Sequence, residues 1–172
     1  MHVYKVMAVT MAFIMLSSSN PAFAKKVRER NPKSCQEIID SQEQVFRWML
    51  NEAKEEARIQ EDIKLLAEVI YHENWHTDND HLAAYYTGAV VMNRVKSKDW
   101  PDTVKGVLYQ KGQYSTTKKF YTKELPAEVY DMARDIIVNG TPDVPETVVF
   151  QAMFRQGKGT WKKINTDYFC YE

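Results

Sequence analysis

Neither sign of charge dominates this 172-residue chain: lysine plus arginine and aspartate plus glutamate each number 23. Nucleic-acid surfaces and polybasic membrane anchors both draw on a clustered basic excess, and the balance gives no basis for either. Cysteine is scarce. Cys35 and Cys170 are the whole complement, and neither sits in a Cys-x-x-Cys pair or beside a histidine, which leaves no thiol nucleophile to consider. In an oxidising compartment the two could clamp the chain ends together; two unpaired thiols are the other reading. Internal repeats, low-complexity runs and linkers are also missing, so a single domain is the economical organisation. Beyond the first 24 residues no stretch is apolar for long enough to span a bilayer.

What is present is the composition of a globular protein, 44% hydrophobic and 27% charged. The first 24 residues stand apart. Lys5 precedes an apolar run over 6–16, Ser17 to Pro21 breaks it, and Ala22-Phe23-Ala24 fits the small-x-small cleavage site of a secretory signal peptide. The run is shorter than the ~20 residues a membrane span requires. Cleavage is therefore expected, with no stable membrane span afterwards, and a retained anchor is the alternative. The expected setting is secreted or periplasmic.

Residues 25–33 read as a solvated leader. Ser34-Cys35-Gln36-Glu37 has the form of a capping box, and the apolar spacing of Ile38, Val45, Phe46, Met49 and Ala53 predicts a helix to about residue 58. A second helix is predicted from 61–62, carrying Ile63, Leu65, Leu66, Val69 and Ile70. Thr77-Asp78-Asn79-Asp80 is a turn cluster able to cap a third helix through Val95. A short apolar piece follows at 104–109, then a Gly112-Gln113-Tyr114-Ser115 loop, then a helix over 126–139 with Gly140 at its C-terminal cap. Thr147-Val148-Val149-Phe150 has strand character, and the tail is aromatic. The predicted fold class is α+β, mainly helical, with a small strand element.

On a helix turning about 100° per residue, Leu66, Val69, Ile70 and Glu73 share one stripe. A carboxyl group in apolar surroundings is costly to ionise, and one that keeps its proton can act as a general acid. Glycosidic cleavage needs such a proton for the leaving oxygen. The plainer reading ends the helix at Glu73 and sends the carboxylate to solvent or to Arg94. Glu68 falls on the opposite side and reads as solvent-facing. The same residues spell His72-Glu73-Asn74-Trp75-His76, the His-Glu-x-x-His of zinc hydrolases. The extended zinc pattern is not met: Asn79 and Leu82 occupy the places of its glycine and third histidine, and no glutamate occurs between Glu73 and Glu124. No metal and no other cofactor is expected.

From about Leu65 onward the order of motifs resembles the SleB-like cell wall hydrolases, the family of spore-cortex-lytic enzymes. The residues that carry it are Tyr71-His72-Glu73, Ala89-Val90-Val91-Met92-Asn93-Arg94-Val95, Trp100 to Val104, Gly106 to Gln110, Gly112-Gln113-Tyr114-Ser115, Ala133-Arg134-Asp135 and the aromatic tail with Phe150 and Phe169. The departures are Asn74-Trp75-His76-Thr77 for Ala-Arg-Gly-Glu after the glutamate, Lys111 for a proline, and Asn165-Thr166-Asp167 for Gly-Asn-His.

The resemblance implies a lysozyme-like or lytic-transglycosylase-like catalytic domain over 61–172, following the signal peptide at 1–24 and the leader and helix at 25–60 read above. It makes Glu73 the catalytic acid in cleavage of peptidoglycan glycan strands between N-acetylmuramic acid and N-acetylglucosamine, by a monomer associated with the cell wall. Gln113, Tyr114 and Ser115, on their glycine-preceded loop, are the expected substrate contacts, against the alternative of a tight turn with Tyr114 packed inward. Asp78 and Asp80 are candidates for a second acidic position. Tyr121, Phe154 and Trp161 are candidates for a groove wall or for core. A zinc metallopeptidase built on His72, Glu73 and His76, and a secreted wall-binding module without catalysis, are the competing functions.

Overall fold

The computed structural model describes residues 32–172, and side chains from Glu37 onward. The expected signal peptide, most of the leader and the Cys35 side chain lie outside the described residues. Five segments of helix and three strands follow one another: α1 (Pro32–Asn74), α2 (Leu82–Lys96), α3 (Val104–Tyr109), a 3₁₀ turn (Ser115–Lys119), α4 (Ala127–Asn139), β1 (Val148–Ala152), β2 (Gly159–Ile164) and β3 (Asp167–Tyr171). The chain divides into two units at Glu55/Glu56. The described part of the first is helix, on which Ile38, Val45, Phe46, Trp48, Met49 and Leu50 are exposed. The second, Glu56–Glu172, holds every other element.

One expectation fails at once. The predicted break between two helices near 58–62 does not exist, because α1 runs through it. The stretch Arg58-Ile59-Gln60-Glu61-Asp62 contains neither proline nor glycine, and Arg58 and Asp62 form an i,i+4 ion pair along the helix at 3.0 Å. The start lies at Pro32, ahead of the expected capping box; proline suits a first helical position because its missing N–H has no partner there anyway.

Within the second unit α2 packs against α3, α4 and β1. Gly88 makes this possible: a Cβ there would lie 2.6 Å from Ile136 Cδ1 of α4 and 3.1 Å from Ile70 Cδ1 of α1. Ile63, Leu66, Ile70, Val107, Leu108, Val129 and Ile136 form one apolar core, and Tyr86, Val90, Val148 and Phe169 a second against the sheet. The sheet is antiparallel in the order β1-β3-β2. Asn93, fully buried, donates from Nδ2 to the carbonyls of Pro145 and Val148 and so pins the start of β1 to α2. Trp161 is a packing residue, its ring edge-on to Tyr86 at 4.9 Å. Cys170 on β3 is buried, its Sγ 3.8 Å from Thr160 Oγ1, and its pairing with Cys35 lies outside the described residues.

The β1–β2 loop is shaped by Gly157, whose φ of 58° is left-handed. A Cβ at that position would run into the Tyr171 carbonyl and come within 2.8 Å of the Phe150 ring. Gly157→Ala is therefore expected to cost about 2 kcal/mol from strain plus displacement of the loop. Urea unfolding of the full chain measures it, and a loss below about 0.5 kcal/mol would mean the loop is not held this way.

Candidate active site

Glu73 sits in the last turn of α1, and the residues around it fix where that turn stops. Asn74, buried at the helix end, donates from Nδ2 to Thr87 Oγ1 of α2 at 2.9 Å and to Asp167 Oδ2 of β3 at 2.8 Å. Its Oδ1 accepts from Thr77 Oγ1, and Asn165 Nδ2 donates to the Thr77 carbonyl. The two segments in which this chain departs from the family pattern, 74–77 and 165–167, are thus bonded to each other. They tie the helix end to α2 and to the β2–β3 turn.

Glu73 is half-buried and borders a cavity of about 400 Å³, a size in the ~300–1,000 Å³ range of small-ligand sites. The wall comprises Arg94 of α2, Trp100, the loop Gly112-Gln113-Tyr114, Phe150, Gln151 and Ala152 of β1, and Phe154, Gln156 and Gly157 of the following loop. A larger depression of about 550 Å³ is lined by the single run Arg155–Thr160; it draws on one loop, whereas the Glu73 cavity gathers side chains from across the second unit. Thr116 Oγ1 donates to Glu73 Oε1 at 2.5 Å, leaving Oε2 without a hydrogen-bond partner among the described residues. Glu73 is the sole carboxylate among the lining residues.

Arg94 is the sole cation among them. It is 4% exposed, its Nε–H donates to the Val149 carbonyl at 2.7 Å, and its guanidinium carbon lies 4.1 Å from the Trp100 ring centroid and 5.4 Å from that of Tyr114. Burial lowers its pKa, yet an arginine keeps its charge at neutral pH. The Tyr114 hydroxyl is pushed up, first by burial; the neighbouring Arg94 opposes that shift and Glu73 adds to it. It stays an O–H donor at neutral pH. The Tyr114 hydroxyl and Gln151 Oε1 are both buried and, among the described residues, both without a hydrogen-bond partner.

The structure brings together Glu73, Gln113 and Tyr114, three of the residues singled out in the sequence, and adds Phe154 to them. Ser115 is exposed at the start of the 3₁₀ turn and is not among the lining residues. Asp78 accepts from the Ala83 N–H through Oδ2 and serves as a cap for α2; Asp80 is exposed in the turn, and neither lines the cavity. Tyr121 is exposed elsewhere. The zinc motif is not assembled: His72 Nε2 lies 3.3 Å from Glu68 Oε2 one turn back, the His72 ring stacks on Phe120, and His76 packs edge-on against Tyr71. Among the described residues no three His, Cys, Asp or Glu side chains are grouped to hold a metal ion. Glu68 is a correction. It is 2% exposed and accepts the Tyr121 N–H at 3.0 Å, because the 115–125 segment covers the side of α1 that the stripe left open.

Trp100, Gln151 and Gln156 were not expected at the site; Trp100 and Arg94 stand in motifs that carry the resemblance, whereas no local signal marks Gln151 or Gln156. Among the described residues no helix is long and apolar enough to cross a membrane. No curated protein matches the chain. Among solved structures, the catalytic domain of the Bacillus cereus SleB protein is similar, at 24% identity and a TM-score of 0.52, over 64% of this chain and 90% of that one. It has the same mainly helical fold. The model of the Cell Wall Hydrolase family matches residues 83–169, which takes in Arg94, Trp100, Tyr114 and Gln151 and begins after Glu73. With half of its length matched in this way, the chain belongs to the cell wall hydrolase family.

Proposed function

We propose that the protein cuts the glycan strands of peptidoglycan at the bond between N-acetylmuramic acid and N-acetylglucosamine, with Glu73 as its single acid and base. The observation that carries this reading is the lone carboxylate in the cavity wall. Hydrolysis with retention calls for a second carboxyl group about 5–5.5 Å away, and inversion for one at about 6.5–9.5 Å. Asp78 and Asp80, the two sequence candidates for that post, are respectively a helix cap and a solvent-facing turn residue. A route needing one carboxyl group fits the wall better.

In that route Glu73 protonates the bridging oxygen as the muramyl ring takes on oxocarbenium character. The resulting carboxylate then accepts the proton of the muramyl 6-hydroxyl, whose oxygen closes on its own anomeric carbon. One bond breaks, one forms, and the proton returns to Glu73, so the enzyme is regenerated with a 1,6-anhydro end as product. Thr116 holds one carboxylate oxygen, and Oε2 is the one left to trade the proton. Such an enzyme works outside the cytoplasm, in keeping with cleavage of residues 1–24.

Mass spectrometry of purified peptidoglycan after digestion tests this. The expected products are muropeptides ending in 1,6-anhydro-muramic acid. Reducing ends would point to hydrolysis, and cut stem peptides with intact glycan to the metallopeptidase. His76→Ala is expected to leave the yield within about twofold, since exposed side chains away from the site contribute little.

A further inference from the structure

We propose that Arg94, Tyr114 and Gln151 form a subsite for the acetamido group of an N-acetylated sugar, on the cavity wall that Glu73 shares. The subsite presupposes a glycan substrate, as above, and names the group by which it is held.

Buried polar atoms in native proteins almost always find partners, so two orphans on side chains lining one cavity call for an explanation. The Tyr114 hydroxyl and Gln151 Oε1 are such a pair. Arg94 adds to them. Only its Nε–H meets a protein acceptor, and among the described residues no carboxylate lies within ion-pair distance of it. The wall thus offers unspent donors, from Arg94 and Tyr114, beside an unspent acceptor, from Gln151. A secondary amide is the ligand group that uses both: its carbonyl accepts from the guanidinium or the phenol, and its N–H donates to the glutamine oxygen. Because a glutamine side chain carries an acceptor and a donor side by side, it matches an amide in either orientation.

The acceptor selects the same class. A free carboxylate would use the donors of Arg94 and Tyr114 but give Gln151 Oε1 nothing to accept from, whereas an amide serves both. The edge-on rings of Trp100 and Phe150, centroids 6.1 Å apart, supply apolar surface for the acetyl methyl and the sugar face.

Calorimetric titration of the full chain with a sulfur-linked N-acetylglucosamine tetramer, which resists cleavage, tests the subsite. Comparison ligands are the same tetramer after N-deacetylation and after chemical re-acetylation. The native and re-acetylated forms are expected to bind about tenfold or more tightly than the deacetylated one. Tyr114→Phe and Gln151→Leu should each weaken the acetylated ligand about tenfold and leave the deacetylated one unchanged. Tyr114→Phe removes an atom without a partner, so its thermal midpoint should match the parent and exclude a folding defect. Equal binding of the deacetylated ligand, or unchanged affinity in both variants, overturns the subsite; so does salt-sensitive binding that requires stem-peptide carboxylates. Peptidoglycan digestion run alongside separates the two proposals. Cleavage without acetyl discrimination sinks the subsite alone, and acetyl-dependent binding without cleavage sinks the glycan-cutting reading alone.

Discussion

Glu73→Gln is expected to lower the release of anhydro-muropeptides by at least ~10³-fold, about 4 kcal/mol of transition-state stabilisation. The loss is large because one side chain performs both proton transfers: an amide neither protonates the bridging oxygen nor accepts the 6-hydroxyl proton. The fold should hardly notice. Glutamine keeps the oxygen that accepts from Thr116, the side chain is half-buried, and a change in stability within about 0.5 kcal/mol is expected. Turnover is read by muropeptide mass spectrometry and stability by urea unfolding. A variant that keeps a tenth of the parent rate would remove Glu73 from the chemistry, and a variant that loses rate only as it loses stability would make it a structural residue.

The difference between what the sequence announces and what it conceals follows from where each constraint comes from. Glu73 was legible because the helical stripe that includes Leu66, Val69 and Ile70 is local, and those three side chains are indeed fully buried. Thr103, accepting the Gly106 N–H at the start of α3, and Gly140, closing α4 with a φ of 74°, follow local rules of the same kind. The stripe misled over Glu68 because it assumes one covered face. Leu65, Leu66, Ala67, Glu68, Val69 and Ile70 are all buried; α1 is enclosed over 65–70, and the cover on its far side comes from residues more than forty positions later.

The continuity of α1 across 58–62 shows the opposite error. A change in apolar spacing was taken for a boundary, though nothing in the backbone chemistry of those residues ends a helix. Arg94, Trp100 and Gln151 were hidden for a third reason. Arg94 reaches the wall only because Val149 of β1 accepts its Nε–H, and Gln151 only because β1 is pinned to α2 through Asn93. Such positions depend on the pairing of segments some fifty residues apart, which no window of sequence displays. The departures at 74–77 and 165–167 lie some ninety residues apart in the sequence. Bonded to each other through Asn74–Asp167 and Thr77–Asn165, they brace the turn that presents Glu73.

Replacing Glu68 by leucine is expected to destabilise the full chain by about 3 kcal/mol, far more than the swap of one buried side chain for another of similar size would suggest. The carboxylate does work that no apolar group can do. Its Oε1 accepts the N–H of Tyr121, a non-glycine residue held at a left-handed φ of 60°. Without that acceptor the Tyr121 N–H loses its partner and the strained residue loses what holds it. His72, stacked on Phe120 and 3.3 Å from Oε2, would face hydrocarbon instead of a carboxylate. Glu68→Gln retains an acceptor for Tyr121 and should cost about 1 kcal/mol, so the pair of variants separates hydrogen bonding from bulk. The damage should reach the candidate site as well, because the segment anchored at Tyr121 carries Tyr114 into the cavity wall and Thr116 onto Glu73. Under conditions where Glu68→Leu remains folded, its rate on peptidoglycan should fall further than that of Glu68→Gln. Equal unfolding midpoints for the two variants in urea would show that the Tyr121 contact is not what Glu68 is buried for.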